Sequence, residues 1–199
     1  MNILDTLTND QKELIKYYNY KKDEIIFNEK DECLGIGYII SGSVIIKTLT
    51  FIDNEYTIKT LEKDDSFGEF LAFSSSPYYL GNVIALKETR IAFIKSNDII
   101  KLMQENKEFL TGFVNKMTND AIDLQDRIKI LAQKSLREKI LFYIKTQKEK
   151  QKSNTIYLHS KEKLAQIINV PRPSLSRELA NLQNQGIIKF GRHYITILK

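Results

Sequence analysis

Ser160–Gly186, SKEKLAQIINVPRPSLSRELANLQNQG, is the stretch whose reading decides the fold. Ser160 can cap a helix on which Leu164, Ala165, Ile167 and Ile168 gather on one side. Asn169-Val170-Pro171 breaks that helix. A second one follows, with Leu175, Leu179 and Leu182 spaced four and three apart and Gly186 as its stop. Two short helices joined by a three- or four-residue turn describe a helix-turn-helix, whose second helix enters the DNA major groove. At about 100° per residue, Arg177 falls opposite the leucines, and Arg172 stands at the leading end, where base contacts are made. Ile187–Phe190, a Gly191-Arg192 turn and His193–Ile197 then read as a small hairpin, the shape of a wing. A helical hairpin that merely caps a core is the plainer source of a leucine stripe; the trailing hairpin and the charge around it favour DNA binding.

That charge is unevenly distributed. The chain of 199 residues carries a net +5, yet residues 1–132 hold 16 Lys+Arg against 21 Asp+Glu, a net −5, while residues 133–199 hold 14 against 4, a net +10. A basic C-terminal third on an acidic remainder is the electrostatic footprint of a nucleic-acid module attached to a regulatory body; a lysine-rich solvated surface is the bland alternative. At 42% hydrophobic the chain has material for one large domain or two modest ones. No apolar run approaches the ~18 residues of a membrane span, and MNILDTLTNDQKELIKYY does not resemble a secretory signal. The lone Cys33 excludes an internal disulfide, so the expected setting is cytoplasmic, with no membrane partner.

Residues 8–20 read as a short helix, Glu24–Phe27 as a strand, and Asn28–Asp31 as a turn in which Asn28 can take the left-handed conformation. Tyr38-Ile39-Ile40, a Ser41-Gly42 turn and Val44-Ile45-Ile46 make two strands; Glu55–Leu61, Val83–Leu86 and Arg90–Ile94 supply more. Short strands with polar turns every ten residues or so mean an antiparallel roll. From there Leu110, Val114, Met117, Ala121, Leu124, Ile128 and Leu131 step by four and three, a heptad seam held for three repeats. Such a helix packs either on its own roll alone or against a second copy in a two-fold coiled coil; clean phase over three heptads favours the copy. A further helix over Ser135–Lys150 and a charged loop over Lys148–Asn154 lead into Thr155–Leu158. The expected fold class is therefore α+β: an N-terminal antiparallel β-roll (1–108), a long dimerisation helix (109–132) and a C-terminal winged helix-turn-helix (133–199).

PRPSLSRELANLQNQGII with its hairpin, together with Tyr38–Val44 (YIISGSV), Asp65–Glu69 (DSFGE) and Ala85, resembles the Crp/Fnr superfamily of bacterial transcription regulators, and the likeness extends over nearly the entire chain. The resemblance implies a cyclic-nucleotide-binding-like roll, a jelly-roll-like double-stranded β-helix, in which a Gly-Glu pair holds the ribose and cyclic phosphate and an Arg-Ser or Arg-Thr pair neutralises the phosphate. Gly68 and Glu69 match; the Arg-Ser positions fall on Tyr79 and Leu80, and the Thr-Ser pair of the long helix falls on Leu124 and Gln125. A buried phosphate needs a cation or several donors, so cyclic AMP is not the expected effector. The family's recognition helix carries an Arg-Glu pair and a second Arg five residues after the first. Arg172 and Arg177 are in register, but Pro173 stands in place of the Glu, removing an acceptor for cytosine amino groups.

Phe67, Phe70, Leu71, Phe73, Tyr78, Tyr79 and Leu124 would line the equivalent pocket, with Gly68 and Glu69 beside them. They suit either an apolar small molecule or haem, or they simply fill the roll's core. Both histidines, His159 and His193, lie in the DNA-binding part, leaving the roll no imidazole for a metal. A metal-dependent enzyme on a cupin-like barrel would need clustered His and carboxylates within the roll, so no catalysis is expected. Cys33 could ligate haem or sense oxidant, or be an inert packed thiol. The expected DNA contacts are Arg172 and Arg177 to bases, Ser174 and Ser176 to bases or phosphates, and Ser160, Lys161, Lys189 and Arg192 to the phosphate backbone. The expected partners are a near-palindromic duplex and a second copy, with RNA polymerase a further candidate. The rival is a nucleotide- or haem-sensing module that regulates a protein partner and never touches DNA.

Overall fold

The computed structural model describes residues 3–49, 55–158 and 160–198; the expected placement of His159 lies outside them. The chain divides into two compact units, Met1–Met117 and Thr118–Lys199. In the first, one sheet runs in the order β1 (Lys16–Tyr20), β8 (Thr89–Lys95), β3 (Gly35–Ser41) and β6 (Ser66–Phe67). The other runs β2 (Ile25–Phe27), β7 (Asn82–Ala85), β4 (Ser43–Leu49) and β5 (Glu55–Glu62). Every pairing is antiparallel. Because side chains alternate along a strand, β3 serves two cores. Ile36 and Tyr38 join Ala92 and Ile94 in packing against Ile99 and Leu102 of α2 (Ser96–Glu105) and Phe109 and Phe113 of α3 (Lys107–Leu131). Ile39 turns the other way, into the roll, with Val44, Leu61, Phe67, Tyr79, Val83 and Ile91.

The N-terminal reading needs correction. Of residues 8–20, only α1 (Asn9–Lys12) is helical, held by a capping box on Thr8; Lys16–Tyr20 is a strand paired with Thr89–Phe93. KYYNY is rich in strand-favouring aromatics, and an available sheet edge outweighs helical spacing over so short a stretch. In the turn that follows β2 the left-handed residue is Lys30, at φ 70°, not Asn28. Asn28 instead donates its backbone N–H to the Asp31 carboxylate at 2.7 Å.

The second unit closes around α4 (Leu136–Gln151), α5 (Lys161–Ile168) and α6 (Arg172–Asn184), with β9 (Thr155–Tyr157), β10 (Ile188–Phe190) and β11 (Tyr194–Ile197) forming one sheet in the order β10-β11-β9. The wing is thus three-stranded, Thr155–Tyr157 adding to the expected hairpin. Ser135 and Ser160 cap α4 and α5; the Lys163 N–H donates to Ser160 Oγ at 3.0 Å. Asn169 (φ 59°) ends α5 and Gly186 (φ 67°) follows α6, both in the left-handed region that turns the chain out of a helix. Leu164, Ile168, Leu175, Leu179 and Leu182 are buried with Ile140, Ile156, Ile188 and Ile195, and Ile130 from the end of α3 enters the same core. Lys150 of α4 ties this end of α3 further, reaching Asp123 at 2.7 Å and Asp126 at 2.9 Å. Partial burial alone would lower the Lys150 pKa, but the two carboxylates outweigh it and hold it above its ordinary value.

Leu179 is fully buried at the centre of this unit. Leu179→Ala is expected to destabilise it by about 2–5 kcal/mol, seen as a lower-temperature transition in calorimetry of the full chain.

Candidate nucleic-acid interface

With Leu175, Leu179 and Leu182 at zero exposure, the rotation of α6 about its axis is fixed. Arg172 and Arg177 are exposed and Ser174 and Ser176 half-exposed on the outward side. The helix begins without a side-chain cap, Pro171 at its N-cap and Pro173 in its first turn. Lys189 and Arg192 stand exposed on the wing, on β10 and in the turn after it. Lys161 places its ammonium 4.5 Å from the centroid of the Phe190 ring, joining the start of α5 to the wing. Ser160 Oγ accepts the Lys163 N–H in the cap, a contact that uses the oxygen as acceptor and not its O–H as donor. All eight residues expected to meet DNA therefore fall on α5, α6 and the wing of one compact unit.

Two partners on this face were not foreseen. Arg172 Nη1 lies 2.6 Å from Glu162 Oε1, in the first turn of α5. Arg137 of α4 reaches Glu178 on α6 at 3.7 Å and Gln185 at 2.6 Å. The sequence offered one signal for both: 133–199 contains only four acidic residues, so any of them on a DNA-facing helix stands out.

Within the first unit, the residues expected around an effector are split between the roll's interior, where Leu71 packs with Phe67 and Tyr79, and a separate cleft. Phe67 and Tyr79 meet inside the roll, where the Tyr79 ring stacks on Phe27 at 4.6 Å between centroids and Phe67 stands edge-on to Phe27 at 6.2 Å. These rings fill the interior. Gly68 turns the chain after β6 at φ 92°, and a Cβ there would lie 2.6 Å from the Gly35 carbonyl oxygen. Glu69 is buried, its Oε1 accepting from Ser66 Oγ at 3.2 Å and paired with Lys116 of α3 at 3.1 Å, while Oε2 has no hydrogen-bond partner among the described residues. Phe70 and Tyr78 are half exposed. Glu69 and Phe70 line a cleft of about 440 Å³ on the first unit with Phe73, Ile100, Phe113 and Met117, not the roll's interior. Leu124 is exposed on the part of α3 that belongs to the second unit.

Among the described residues the buried polar side chains of the roll are Ser43, Ser66, Glu69 and Thr89, and the cation that reaches Glu69 is Lys116 of α3. Cys33 is buried, and its Sγ–H donates to the Gly35 carbonyl at 3.3 Å. Burial pushes the thiol pKa up, despite a lowering contribution from the Tyr79 hydroxyl, so Cys33 is protonated and poorly nucleophilic at neutral pH.

Along α3 the apolar seam is largely in solvent. Leu110, Val114, Leu124, Ile128 and Leu131 are 36–60% exposed, with Ala121 exposed between them and Ile122 beside. Met117 differs: it is half-buried, packed against the helical core of the first unit.

Residues 18–106 match a cyclic nucleotide-binding domain, and residues 136–199 match a Crp-like helix-turn-helix domain. The chain is 23% identical over 194 residues to the anaerobic regulatory protein of Bacillus subtilis (strain 168), covering 92% of this chain and 82% of that one. Among solved structures, a variant of CooA from Carboxydothermus hydrogenoformans superposes with a TM-score of 0.73 at 18% identity, over 100% of this chain and 92% of that chain. FixK2 from Bradyrhizobium japonicum gives 0.60 at 18% identity, over 93% of each. At such identities the structural likenesses carry the fold alone. The two domains, in this order on one chain, place it by family: the protein belongs to the Crp/Fnr superfamily of DNA-binding transcription regulators.

Proposed function

We propose that the protein acts as a homodimeric, sequence-specific regulator of transcription, reading a near-palindromic operator with Arg172 and Arg177 of each copy. The observation that carries this is the pairing of a fully buried leucine stripe with an outward arginine on one helix, in a segment of net charge +10. A guanidinium fork suits guanine O6 and N7 in the major groove, while Ser160, Lys161, Lys189 and Arg192 would hold the phosphates and set the register. Homodimerisation is supported by α3: an apolar stripe this long, more than half exposed at Val114, Leu124 and Ile128, asks for a partner helix, and a second copy supplies the matching heptad. Dimer symmetry would place the two recognition helices on half-sites about one helical turn apart. Residues 1–108 would form the sensing part, 109–132 the dimer helix and 133–199 the DNA reader.

The effector, in this reading, is not cyclic AMP. Tyr79 takes the position where the phosphate would be neutralised and stacks into the core instead. Haem finds no histidine in the roll and only a buried, hydrogen-bonded Cys33. The mixed apolar and acidic lining around Glu69 and Phe70 leaves an apolar small molecule as the better-matched class.

Arg177→Ala is expected to cost about 1–3 kcal/mol on the operator and to relax specificity at one position per half-site, measured by gel shift on a set of base-substituted duplexes. An equal loss on all sequences would remove its base-reading role. Ile128→Glu should convert the dimer to monomer in sedimentation and weaken operator binding with it, because two like charges would face each other across the seam. Cyclic AMP at about 1 mM should leave the melting temperature unchanged, since a ligand that does not bind the native state cannot stabilise it.

A further inference from the structure

A carboxylate on a face that must meet phosphates calls for an explanation. Residues 133–199 contain four acidic residues, and two have visible structural work: Glu138 completes the capping box of α4, and Glu178 pairs with Arg137. Glu162 does neither. It sits in the first turn of α5 and reaches across to α6, its Oε1 2.6 Å from Arg172 Nη1. The first turn of α6 has no acidic residue of its own. The pair stands at the rim of a cleft of about 410 Å³ lined also by Ala165, Gln166, Asn169 and Pro171, so it spans the gap between the two helices of the motif.

The ion pair is not there for stability. Both side chains are more than half exposed, 53% for Glu162 and 62% for Arg172, where solvent screens the attraction to little net worth. The leucine core beneath is complete without it. In a segment otherwise dense in positive charge, a negative group at this point also weakens attraction to any duplex backbone. What the contact does accomplish is geometric. It engages one guanidinium nitrogen from the α5 side and leaves the Nη2 and Nε donors for a parallel two-bond contact with a base edge.

We propose that Glu162 is a specificity-determining positioning residue: it buttresses the Arg172 guanidinium at the head of α6 and holds it away from phosphates, so that Arg172 discriminates among bases. This rests on the base-reading role of Arg172 given above. In the free protein the pair is screened, but against a base edge, with water displaced, the same attraction is worth more, so the carboxylate favours the base-directed orientation of Arg172. The carboxylate beside it penalises backbone docking in the wrong register. Glu162 therefore lowers affinity for random duplex while raising the ratio of operator to random binding.

The test is a double-mutant cycle in the full chain: wild type, Glu162→Gln, Arg172→Ala and the double variant. Each is titrated with an operator selected from a random duplex pool, with operators substituted at every base pair, and with a random duplex, over a salt series. Glu162→Gln should bind random duplex several-fold more tightly, with a salt dependence steeper by about one phosphate contact. It should also lose roughly tenfold of its discrimination at a single base pair per half-site, the one that Arg172→Ala also relaxes. Glu162→Asp should recover part of that discrimination. In the Arg172→Ala background, Glu162→Gln should leave discrimination unchanged. Weaker binding of Glu162→Gln to all duplexes alike, or a discrimination loss that persists without Arg172, overturns the proposal. If wild type selects no operator, the base-reading assignment of α6 itself falls; if it selects one that Arg172→Ala reads unchanged, only the buttress falls. Unchanged melting of Glu162→Gln separates these outcomes from misfolding.

Discussion

Burial of Leu175, Leu179 and Leu182 at zero exposure is the constraint on which the DNA-facing geometry depends. A helix has one rotation about its axis, and three leucines at spacings of four and three consume it. Once they are buried against α4 and α5, the side chain at 177 has nowhere to point but outward. The cap on Ser160, the left-handed Asn169 and the left-handed Gly186 fix where these helices start and stop, so the position of the arginines along α6 is set as well as their direction. The outward direction of Arg177 is, in this protein, a by-product of hydrophobic packing on the opposite side of the same helix.

This part of the molecule was the most legible in the sequence, because the period of 3.6 and the punctuation by proline and glycine agree with one another and with burial. The first residues were the least legible. Lys16–Tyr20 has too few residues for a period to declare itself, and its strand exists because Arg90–Phe93 offers a backbone to pair with, a contact more than seventy positions away. The helix Ser96–Glu105 buries only Ile99 and Leu102 fully, too few to declare a period, and its role, to cover Ile36 and Tyr38, is tertiary.

The roll teaches a different lesson. The Gly68-Glu69 pair was recognisable, but its environment was not, because environment is tertiary. Tyr79 and Phe27, far apart in sequence, stack within the roll, and Glu69 is claimed by Lys116 of α3. Together these residues make a packed interior and a roll-to-helix tether. The seam of α3 shows the same interplay. Its heptad phase was readable, yet Met117 has been drawn into the helical core of the first unit, where Phe109 and Phe113 offer it more apolar surface than solvent would. Glu162 was invisible for the reverse reason: its significance lies entirely in the side chain it touches, ten residues on and across a turn.

The end of α3 is built into the DNA-binding unit rather than merely connected to it. Ile130 is buried among the residues that seat α6, and Lys150 bolts α4 to Asp126 and Asp123, about one and two turns upstream of it. Any reorientation of the last turns of that helix must therefore carry the core that seats α6 along with it, or else break the burial of Ile130.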